Sequence, residues 1–466
     1  MRLPLLATQI RKYLWYCRIY GVKNATRLAI RRLKRPKIAA QAAPLPPPDL
    51  RISYNDENLP LIDKKISVII PTRNAGNEFP LLLRKLKAQK GIRELEIIMV
   101  DSGSSDETVR LGRDAGATVV EIPPERFNHG LARNKGAECA TGDFLLFTVQ
   151  DALPMTEQWL WEMANALVKN DVVAVSCAEF PRSDCDLFYR LLLWNHYRQL
   201  RLDQDRFLGW DKSCESDFGL RANSGISDLA ALFRQEIFRK YKFHSGYAED
   251  LELGKRLIMD GHRIGFLYST RVLHSHNRPA FYFLKRGYVD SRFREEVFPG
   301  SAIEIASGAA LIRDIAAVYE RTRRVARTIS GSNTPQGVEA LMERIRALYL
   351  QDSPDVTATE REPEDDRLDE FVKSLAKRGP DGIHYSAKTN MILPHLLAHV
   401  AELERYLSGI YESVDRELIV EVAGVLGKMV GLHAGNHIGY WYASKPGNEQ
   451  DESGLEGIDK MLQDGI

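Results

Sequence analysis

The chain has 466 residues and a formal net charge of +1, with 44% hydrophobic and 27% charged residues. This length allows two or three domains with separate cores, and the composition is that of an ordinary soluble protein. The sequence has no run near the roughly 18 consecutive apolar residues of a membrane-spanning helix, no convincing signal-peptide core at Leu3–Ile10 and no CxxC pair among its cysteines. We therefore expect an intracellular protein with reduced thiols, without a transmembrane segment or a disulfide framework.

Positive charge is concentrated at the start of the chain. Residues 1–40 contain eleven Lys or Arg and no Asp or Glu, which leaves the remainder with a net charge of −10. Val22, Ala29 and Ile30 share one helical face opposite basic residues, so this segment is predicted to be a basic amphipathic helical arm. Such a helix suits an anionic membrane surface, where each Lys or Arg contributes about 1 kcal/mol; a solvated helix and a nucleic-acid arm remain alternatives. Because the basic residues are confined to the arm, we expect no nucleic-acid partner.

A proline-rich spacer and an alternation of strands and helices follow the arm. Ala43–Pro48 predicts a stiff extended linker over residues 41–61. Short apolar runs then predict strands at 66–70, 96–100, 118–121, 144–148 and 172–177, with helical patterns between most of them. This alternation predicts an α/β domain over residues 62–300, with a mostly parallel sheet flanked by helices and wound by right-handed crossovers.

Two details of this region are also predicted. Phe144–Pro154 begins with five apolar residues among its first six and shows no alternation, as expected for a central strand that is covered on both faces. Ser104 and Glu107 have the spacing of a capping box, which predicts that they begin the helix after the second strand.

Helical periodicity dominates the chain after about residue 300. We expect a helical region over 301–354, an acidic linker over 355–370 and a helical C-terminal region over 371–466. Within the last region, apolar residues step alternately by three and four, as in a short heptad seam: Leu393, Leu396, Val400, Leu403, Leu407 and Ile410. This seam fits either an intramolecular helix hairpin or self-association into a homo-oligomer.

Polar clusters follow three of the predicted strands. They are Thr72, Asp101 and the pair Gln150–Asp151, and the carboxyl ends of parallel strands open onto one edge of a sheet. That edge could bind a phosphorylated, ring-bearing ligand, with Asp101 accepting from a base or ribose, Arg133 adding a cation and Asp151 holding a divalent metal. Each residue alone also has an ordinary explanation as a turn, surface or helix-start residue; together they favour a binding site.

The chain lacks the common nucleotide fingerprints. No GxGxxG follows a predicted strand and no GxxxxGK[ST] occurs, which argues against a dinucleotide oxidoreductase and a P-loop NTPase. Neither a Ser/His/Asp nor a Cys/His pattern stands out for nucleophilic catalysis.

Four motifs in chain order carry a resemblance to a known family. They are Pro71-Thr-Arg-Asn74, Val100-Asp-Ser-Gly-Ser-Ser-Asp106, the strand end Gln150–Asp151 and the pair Glu249–Asp250. With these motifs the chain resembles the inverting GT-A glycosyltransferases of family 2 over roughly residues 62–300. Phe127–Asn134, Gln150–Ala152 and His274–His276 are similar more narrowly to bacterial rhamnosyltransferase-like members, which build surface polysaccharide.

This resemblance implies a role for each matching residue. The nucleoside contacts would be Thr72, Asp101 and Arg133, and Gln150–Asp151 would lie at the element that holds metal and diphosphate. Asp250 would be the general base with Glu249 beside it, and His274 would reach the metal, an Mn or Mg ion. His276 would be a structural or outer residue.

Two features qualify the expected site. Much of the family has two acids where this chain has Gln150 before Asp151, so a strict metal requirement is in doubt. On the acceptor side, Trp210 and Asp228 are weak candidates, because aromatic rings line saccharide sites but also build cores.

The sequence thus predicts an inverting glycosyltransferase that uses a dTDP-, UDP- or GDP-linked sugar, with rhamnose as a candidate. Its acceptor would be a saccharide or a lipid-linked sugar at the inner face of the cell membrane, with residues 1–40 at the membrane surface. The alternative is a catalytically silent nucleotide-sugar-binding or scaffold protein of the same fold.

Overall fold

The computed structural model describes residues 59–244, 247–299, 305, 307–331, 334–351, 366–379, 385–444, 455 and 457–463. Contacts divide the chain into two units. The sheet unit comprises Leu45–Asn277 with Val297–Ser301, and the helical unit contains Arg278–Glu296 and Ala302–Ile466. The predicted boundary at residue 300 and the subdivision of the helical part stay predictions. The predicted arm over 1–40, nearly all of the linker over 41–61 and most of the acidic segment over 355–370 lie outside the described residues.

Nine strands form one sheet in the described part of the chain. They are β1 Ile62–Thr72, β2 Ile92–Asp101, β3 Thr118–Glu121, β4 Phe144–Thr148, β5 Leu153–Pro154, β6 Ala174–Phe180, β7 Arg206–Leu208, β8 Ala230–Arg234 and β9 Ile264–Leu273. The order across the sheet is β3-β2-β1-β4-β8-β6-β9-β5, with β7 also paired to β9. The strands β1, β2, β3, β4, β6 and β9 run in one direction, so the predicted mostly parallel sheet is confirmed.

Helices cover both faces of this sheet. In the sheet unit they are α1 Phe79–Lys87, α2 Thr108–Asp114, α3 His129–Cys139, α4 Trp159–Lys169, α5 Leu187–Leu200, α6 Asp217–Asn223, α7 Gln235–Tyr241 and α8 Glu249–Met259. Every residue of β4 is buried, and its side chains alternate between two hydrophobic cores. Phe147 packs against Phe233 and Phe238 on one face, whereas Leu146 joins the core on the other. The prediction of a central strand covered on both sides is confirmed.

Strand register places polar residues together at one edge of the sheet. Thr72 is the register partner of Asp101, so β1 and β2 end side by side. The helix α3 packs closely behind them, because a Cβ on Gly136 would lie 2.5 Å from Ile69 Cγ2. The Asn128 side chain begins this helix by accepting a hydrogen bond of 3.0 Å from the Leu131 N–H. These contacts fix where Arg133 lies in the sheet unit.

The helical unit is built from long amphipathic helices. Its helices are α9 Ala280–Val297, which ends one residue into the sheet unit, α10 Gly308–Ser330, α11 Val338–Leu350, α12 Asp366–Ala376, α13 Leu393–Ser408, α14 Arg416–Ser444 and α15 Ile458–Gln463. Asn390 accepts from the backbone N–H groups of Ile392 and Leu393, and Pro394 lies in the first turn, which together set the start of α13. Five seam residues are buried, namely Leu393, Leu396, Val400, Leu403 and Leu407, while Ile410 is 43% exposed. Burial of the seam within one chain favours the intramolecular hairpin.

The helix α14 combines length with apolar composition. Within the described residues it is the one helix long and apolar enough to cross a membrane, with a mean hydropathy of 1.4 over its most apolar 18 residues. Of this 18-residue stretch, 61% is buried inside the protein. Packing in the interior of the helical unit therefore accounts for its composition.

Three glycines on α14 bring its backbone against α9. Gly431, Gly435 and Gly439 recur every four residues and form one face of the helix. A Cβ on Gly435 would lie 1.9 Å from the carbonyl oxygen of Leu284, and Gly431 and Gly439 meet the carbonyls of Ala280 and Tyr288 in the same way. The two helices therefore touch through main-chain atoms, which leaves no space for a methyl group.

We expect Gly435→Ala to lower the free energy of unfolding by about 1–3 kcal/mol, because the added methyl forces two backbones apart. The matched control is Gly424→Ala in the same helix, where a Cβ meets nothing within 4 Å. That control should be neutral or stabilise the protein by about 0.5–1 kcal/mol, since alanine favours a helix. Chemical denaturation of the two variants compares them, and equal midpoints would contradict the contact.

Candidate active site

Asp101 is held by four hydrogen bonds at the end of β2. Its Oδ1 accepts from the N–H groups of Gly103 (3.0 Å) and Ser104 (2.8 Å). Its Oδ2 accepts from the hydroxyls of Ser104 (2.6 Å) and Thr72 (3.0 Å). Asp101 and Thr72 are each 2% exposed. The structure thus brings these two predicted nucleoside contacts together, and the carboxylate fixes the loop on which a nucleoside would rest.

The predicted capping box at Ser104 is wrong. The helix α2 begins after Glu107, which makes no side-chain capping bond. Ser104 instead donates to Asp101 and accepts from the Asn74 N–H at 2.8 Å. Asn74 in turn accepts from the Ser105 N–H at 2.8 Å and adopts a left-handed φ of 45°. Because the loop after β1 lies within reach, the serine hydroxyl joins two loops rather than beginning a helix.

Gln150 joins the loop after β1 to the end of β4. Its Oε1 accepts from the Arg73 N–H at 2.8 Å, and its Nε2 donates to the Arg73 carbonyl at 3.2 Å. An amide can both accept and donate, whereas an ionised carboxylate can only accept. This pair of contacts supplies a physical reason for glutamine at the position where a second acid was expected.

Asp151 lies beside two histidines in an arrangement that fits a divalent cation. One ligand atom from each of Asp151, His274 and His276 lies within 4.8 Å of the other two. The Nε2 atoms of the two histidines are 3.1 Å apart, and their distances to the Asp151 carboxylate oxygens are 3.7 and 3.6 Å. Two imidazole nitrogens on one ion at about 2.0–2.1 Å would be roughly as close. The sequence prediction of Asp151 and His274 thus extends to His276, which was predicted to be structural.

Glu179 supports His274 from behind. Its Oε2 lies 3.1 Å from His274 Nδ1, while its Oε1 accepts from the Tyr189 hydroxyl at 2.8 Å. Burial lowers the pKa of His274, but the hydrogen bond and charge of Glu179 outweigh it, and the net pKa is raised. A carboxylate on Nδ1 fixes the tautomer that leaves Nε2 free to bind a metal.

Glu179 and Arg182 are site residues that the sequence reasoning missed. Arg182 donates from Nη2 to the Asp151 carbonyl at 2.6 Å, forms an ion pair with Glu78 and is only 14% exposed in its side chain. Both residues lie at or just after the carboxyl end of β6. The rule that identified Asp101 and Asp151 would have found them, had it been applied to this strand as well.

A second cluster surrounds the predicted base. Arg133 is 3% exposed and contacts Glu249 Oε1 at 3.0 Å and Asp228 Oδ2 at 2.9 Å. Asp250 accepts from the Asp228 N–H at 3.2 Å and from the Leu251 N–H at 2.7 Å. The structure therefore brings Arg133, Asp228, Glu249 and Asp250 into one group, and the guanidinium is engaged by carboxylates within it.

Three carboxyl groups against one guanidinium make ionisation of the cluster costly. Burial raises the pKa of Asp250, and the charge of Asp228 raises it further. Burial and the charge of Asp228 also raise the pKa of Glu249, despite the opposing charge of Arg133. A carboxylate with a raised pKa is a stronger base, and a pKa near the working pH suits a general base.

This charge balance predicts how activity depends on pH. If Asp250 is the predicted base, its ionised form must accept a proton, so kcat/KM should rise with pH through a range above the usual aspartate pKa of about 3.9. Asp228→Asn removes the charge that raises the pKa of Asp250 and should move this rise to lower pH. Profiles of kcat/KM from about pH 5 to about pH 9 for both proteins check this. A profile for Asp228→Asn that coincides with wild type would contradict it.

Trp210 lies apart from these contacts. It follows β7 and is 51% exposed. Asp228, the other weak acceptor candidate, belongs to the base cluster through Arg133.

Part of the chain matches a known family. Residues 67–241 match the sequence model of Glycosyl transferase family 2. The O-antigen chain rhamnosyltransferase RfbN of Salmonella typhimurium is 28% identical over 218 residues, which cover 46% of this chain and 67% of the relative. WbaN of Salmonella anatum, another O-antigen chain rhamnosyltransferase, is 28% identical over 219 residues, covering 45% and 66%. The chain thus spans about two thirds of these relatives and is homologous to them at low identity, which confirms the resemblance.

Among solved structures, one similar protein aligns over nearly the whole chain. Mannosyltransferase PcManGT from Pyrobaculum calidifontis, in complex with GDP-Man and Mn2+, is 17% identical. The alignment covers 94% of this chain and 98% of that protein, with a TM-score of 0.40.

Proposed function

We propose that this chain is an inverting glycosyltransferase with a GT-A-type sheet, from the premise that residues 67–241 match the model of Glycosyl transferase family 2. It would transfer a sugar from a nucleoside diphosphate donor to a hydroxyl group of a saccharide or lipid-linked acceptor. The observation that carries the proposal is one sheet unit holding both a cation-type cluster, Asp151 with His274 and His276, and a high-pKa carboxyl group, Asp250.

The donor side of this site would be organised by the strand-end loops. Thr72 and Asp101 hold the loop that would contact the nucleoside. Gln150, next to Asp151, accepts from the Arg73 N–H and so joins the loop after β1 to the end of β4. Asp151, His274 and His276 would hold Mn2+ or Mg2+, which neutralises negative charge on a leaving diphosphate when it is bound. Arg182, beside Asp151, adds a fixed positive charge to this side.

Asp250 would act on the acceptor. In a single displacement, the acceptor oxygen bonds to the anomeric carbon, the bond from that carbon to the diphosphate breaks, and the hydroxyl proton passes to Asp250. One carboxylate suffices for inversion, because no covalent intermediate forms. Burial and the charge of Asp228 raise the pKa of this base, and the contacts of Arg133 support a positioning role in the acid cluster in place of a nucleoside contact.

The names of the relatives support a proposal for the substrate class. Similarity to O-antigen chain rhamnosyltransferases supports a deoxyhexose such as rhamnose as the sugar and a growing surface polysaccharide as the acceptor. Transfer of the sugar to such an acceptor would take place at the inner face of the cell membrane. The predicted basic arm over 1–40 would hold the enzyme there, and that role stays a prediction.

Glu179→Gln should weaken metal binding by about 10–100-fold, because the amide replaces the carboxylate that orients His274. Titration of Mn2+ into the variant, followed by the metal's own paramagnetic signal, checks this expectation. Glu157→Gln, in an exposed ion pair with Lys90, is the control and should bind Mn2+ as wild type does. Equal affinity in the two variants would exclude Glu179 from the site.

The function is tested with a panel of dTDP-, UDP- and GDP-linked sugars. Release of nucleoside diphosphate with Mn2+ or Mg2+, and an anomeric configuration in the product opposite to that of the donor, are the expected results. Retention of configuration would overturn the single displacement.

The rival is a catalytically silent protein that binds nucleotide sugars. Gln150 and the large helical C-terminal region favour this rival, but the contacts of Gln150 with the Arg73 backbone supply a structural reason for the amide. Binding of nucleotide sugars, seen as stabilisation against heat, with no turnover on any acceptor would favour this rival.

A further inference from the structure

Four histidines on α13 and α14 of the helical unit lie outside the candidate active site. His395 and His399 lie one turn apart on α13, and His433 and His437 lie one turn apart on α14. Residues separated by four share one face of a helix, so each helix presents a pair of imidazoles. His399 contacts His433 while His395 contacts His437, as the antiparallel arrangement of a hairpin requires.

Three ring contacts connect the four histidines. His399 Nδ1 and His433 Nε2 are 3.1 Å apart, and the ring centroids of this pair are separated by 5.1 Å. The centroids of His395 and His437 are also 5.1 Å apart, and those of His395 and His433 are 6.3 Å apart. We call these four residues the histidine cluster.

One nitrogen of the cluster is buried without a partner. His437 is 1% exposed, and its Nδ1 lies 2.7 Å from the carbonyl oxygen of His433. Only an N–H can donate to a carbonyl, so Nδ1 carries the proton and Nε2 of the neutral ring presents a lone pair. Among the described residues, that Nε2 has no partner within hydrogen-bonding geometry, although the Met391 carbonyl is near enough to raise the pKa of the ring. A buried lone pair without a donor is costly and calls for a ligand.

We propose that the histidine cluster binds a divalent transition metal ion, Zn2+ in the first instance, between α13 and α14. Neutral imidazole is the preferred ligand of such ions, and two nitrogens of one tetrahedral zinc centre are about 3.3 Å apart, close to the separation of His399 and His433. His395, whose ring contacts both His433 and His437, and His437 would supply the remaining two ligands.

The surroundings of the histidine cluster favour binding of a metal ion to the rings over their protonation. Burial lowers the pKa of all four histidines, so the rings are neutral, which is the form that binds metals. The apolar residues Leu396 and Val400 on the same helix are fully buried, so the cluster lies in a dry part of the helical unit. A metal there would tie the two helices of the hairpin together.

The test separates this site from the one proposed in the sheet unit. The full-length double variant His274→Ala/His276→Ala lacks two of the three donor side chains at Asp151 and serves as the background. After dialysis against Zn2+ and removal of free ion, we expect one equivalent of Zn2+ per chain in this background, measured by elemental analysis. Co2+ in place of Zn2+ should give the visible absorption of a tetrahedral site.

Adding His399→Leu/His433→Leu should abolish that equivalent, the Co2+ absorption and the rise in melting temperature caused by Zn2+. Leucine fills the space of the buried rings. If the leucines prevent folding, the single variant His437→Gln replaces them in the test, and it should bind Zn2+ at least tenfold more weakly. His262→Leu, next to Tyr241 in the sheet unit, is the control and should retain the metal. Less than a tenth of an equivalent in the background, or equal Zn2+ with and without the leucines, would show that the cluster is only a packed group of neutral imidazoles.

Discussion

Replacing Asp250 by asparagine should lower kcat by about 100- to 10,000-fold, which is the range that a positioned general base contributes. Asparagine has nearly the same shape as aspartate, and its one oxygen can keep one of the two bonds that the separate carboxylate oxygens accept from the Asp228 and Leu251 N–H groups, so the fold and the binding of donor should persist. Steady-state kinetics with the best donor from the panel gives the loss in turnover. Thermal stabilisation by the nucleoside diphosphate reports binding in the same variant.

A second variant on the same helix controls for this experiment. Glu252→Gln breaks an ion pair with Arg256 on α8, two residues from Asp250, and should leave turnover close to that of wild type. Loss of turnover in both variants would indicate damage to the helix. Full activity in Asp250→Asn would remove the residue from the role of base, and the nearby Glu249 would become the next candidate.

Replacing Arg133 by methionine should destabilise the protein by about 3–5 kcal/mol, which is the effect of removing one partner from a buried ion pair. Arg133 is the cation in contact with both Glu249 and Asp228, and Glu249 is 4% exposed. Without the guanidinium, these carboxyl groups must be protonated or remain buried with their charge. Chemical denaturation near pH 8 measures the loss, which should shrink at lower pH because the carboxyl groups then take up protons.

Two further variants make this prediction specific. Arg113→Met breaks an ion pair with Glu121 in which both side chains are 60% exposed, and it should cost no more than about 1 kcal/mol. Combining Arg133→Met with Glu249→Gln removes the unpaired charge and should recover part of the stability. A single Arg133→Met variant as stable as Arg113→Met would contradict the role of the buried guanidinium.

The sequence predicted the parts of the site that depend on local rules. Apolar runs identified β1, β2 and β4, and the rule that ligands bind at the carboxyl ends of parallel strands placed Thr72, Asp101 and Asp151 at one edge. Thr72 and Asp101 do meet through a hydrogen bond of 3.0 Å. Alternation of strands and helices also fixes the direction of parallel strands, so the topology of this half of the sheet follows from the pattern.

The contacts that could not be predicted join distant parts of the chain. Arg133 and Glu249 are 116 positions apart, and no periodicity relates them. The family resemblance of Phe127–Asn134 predicts a nucleoside contact for Arg133. In the structure α3 packs behind the sheet, and Arg133 contacts Asp228 and Glu249. Ser104 was misassigned for a related reason, since the competing loop at Asn74 is near in space and 30 positions away in sequence.

The acid cluster around Asp250 has a practical consequence for handling the enzyme. The carboxyl groups of Glu249 and Asp250 have a higher pKa in the folded than in the unfolded protein, so they hold protons more tightly when folded. Their contribution therefore stabilises the fold at low pH and is lost as pH rises through the raised pKa. With Asp250 as the proposed base, activity should increase over the same range. A buffer chosen to stabilise this cluster would therefore lie below the pH at which the proposed base is ionised. Preparations for assay and preparations for crystallisation call for different buffers.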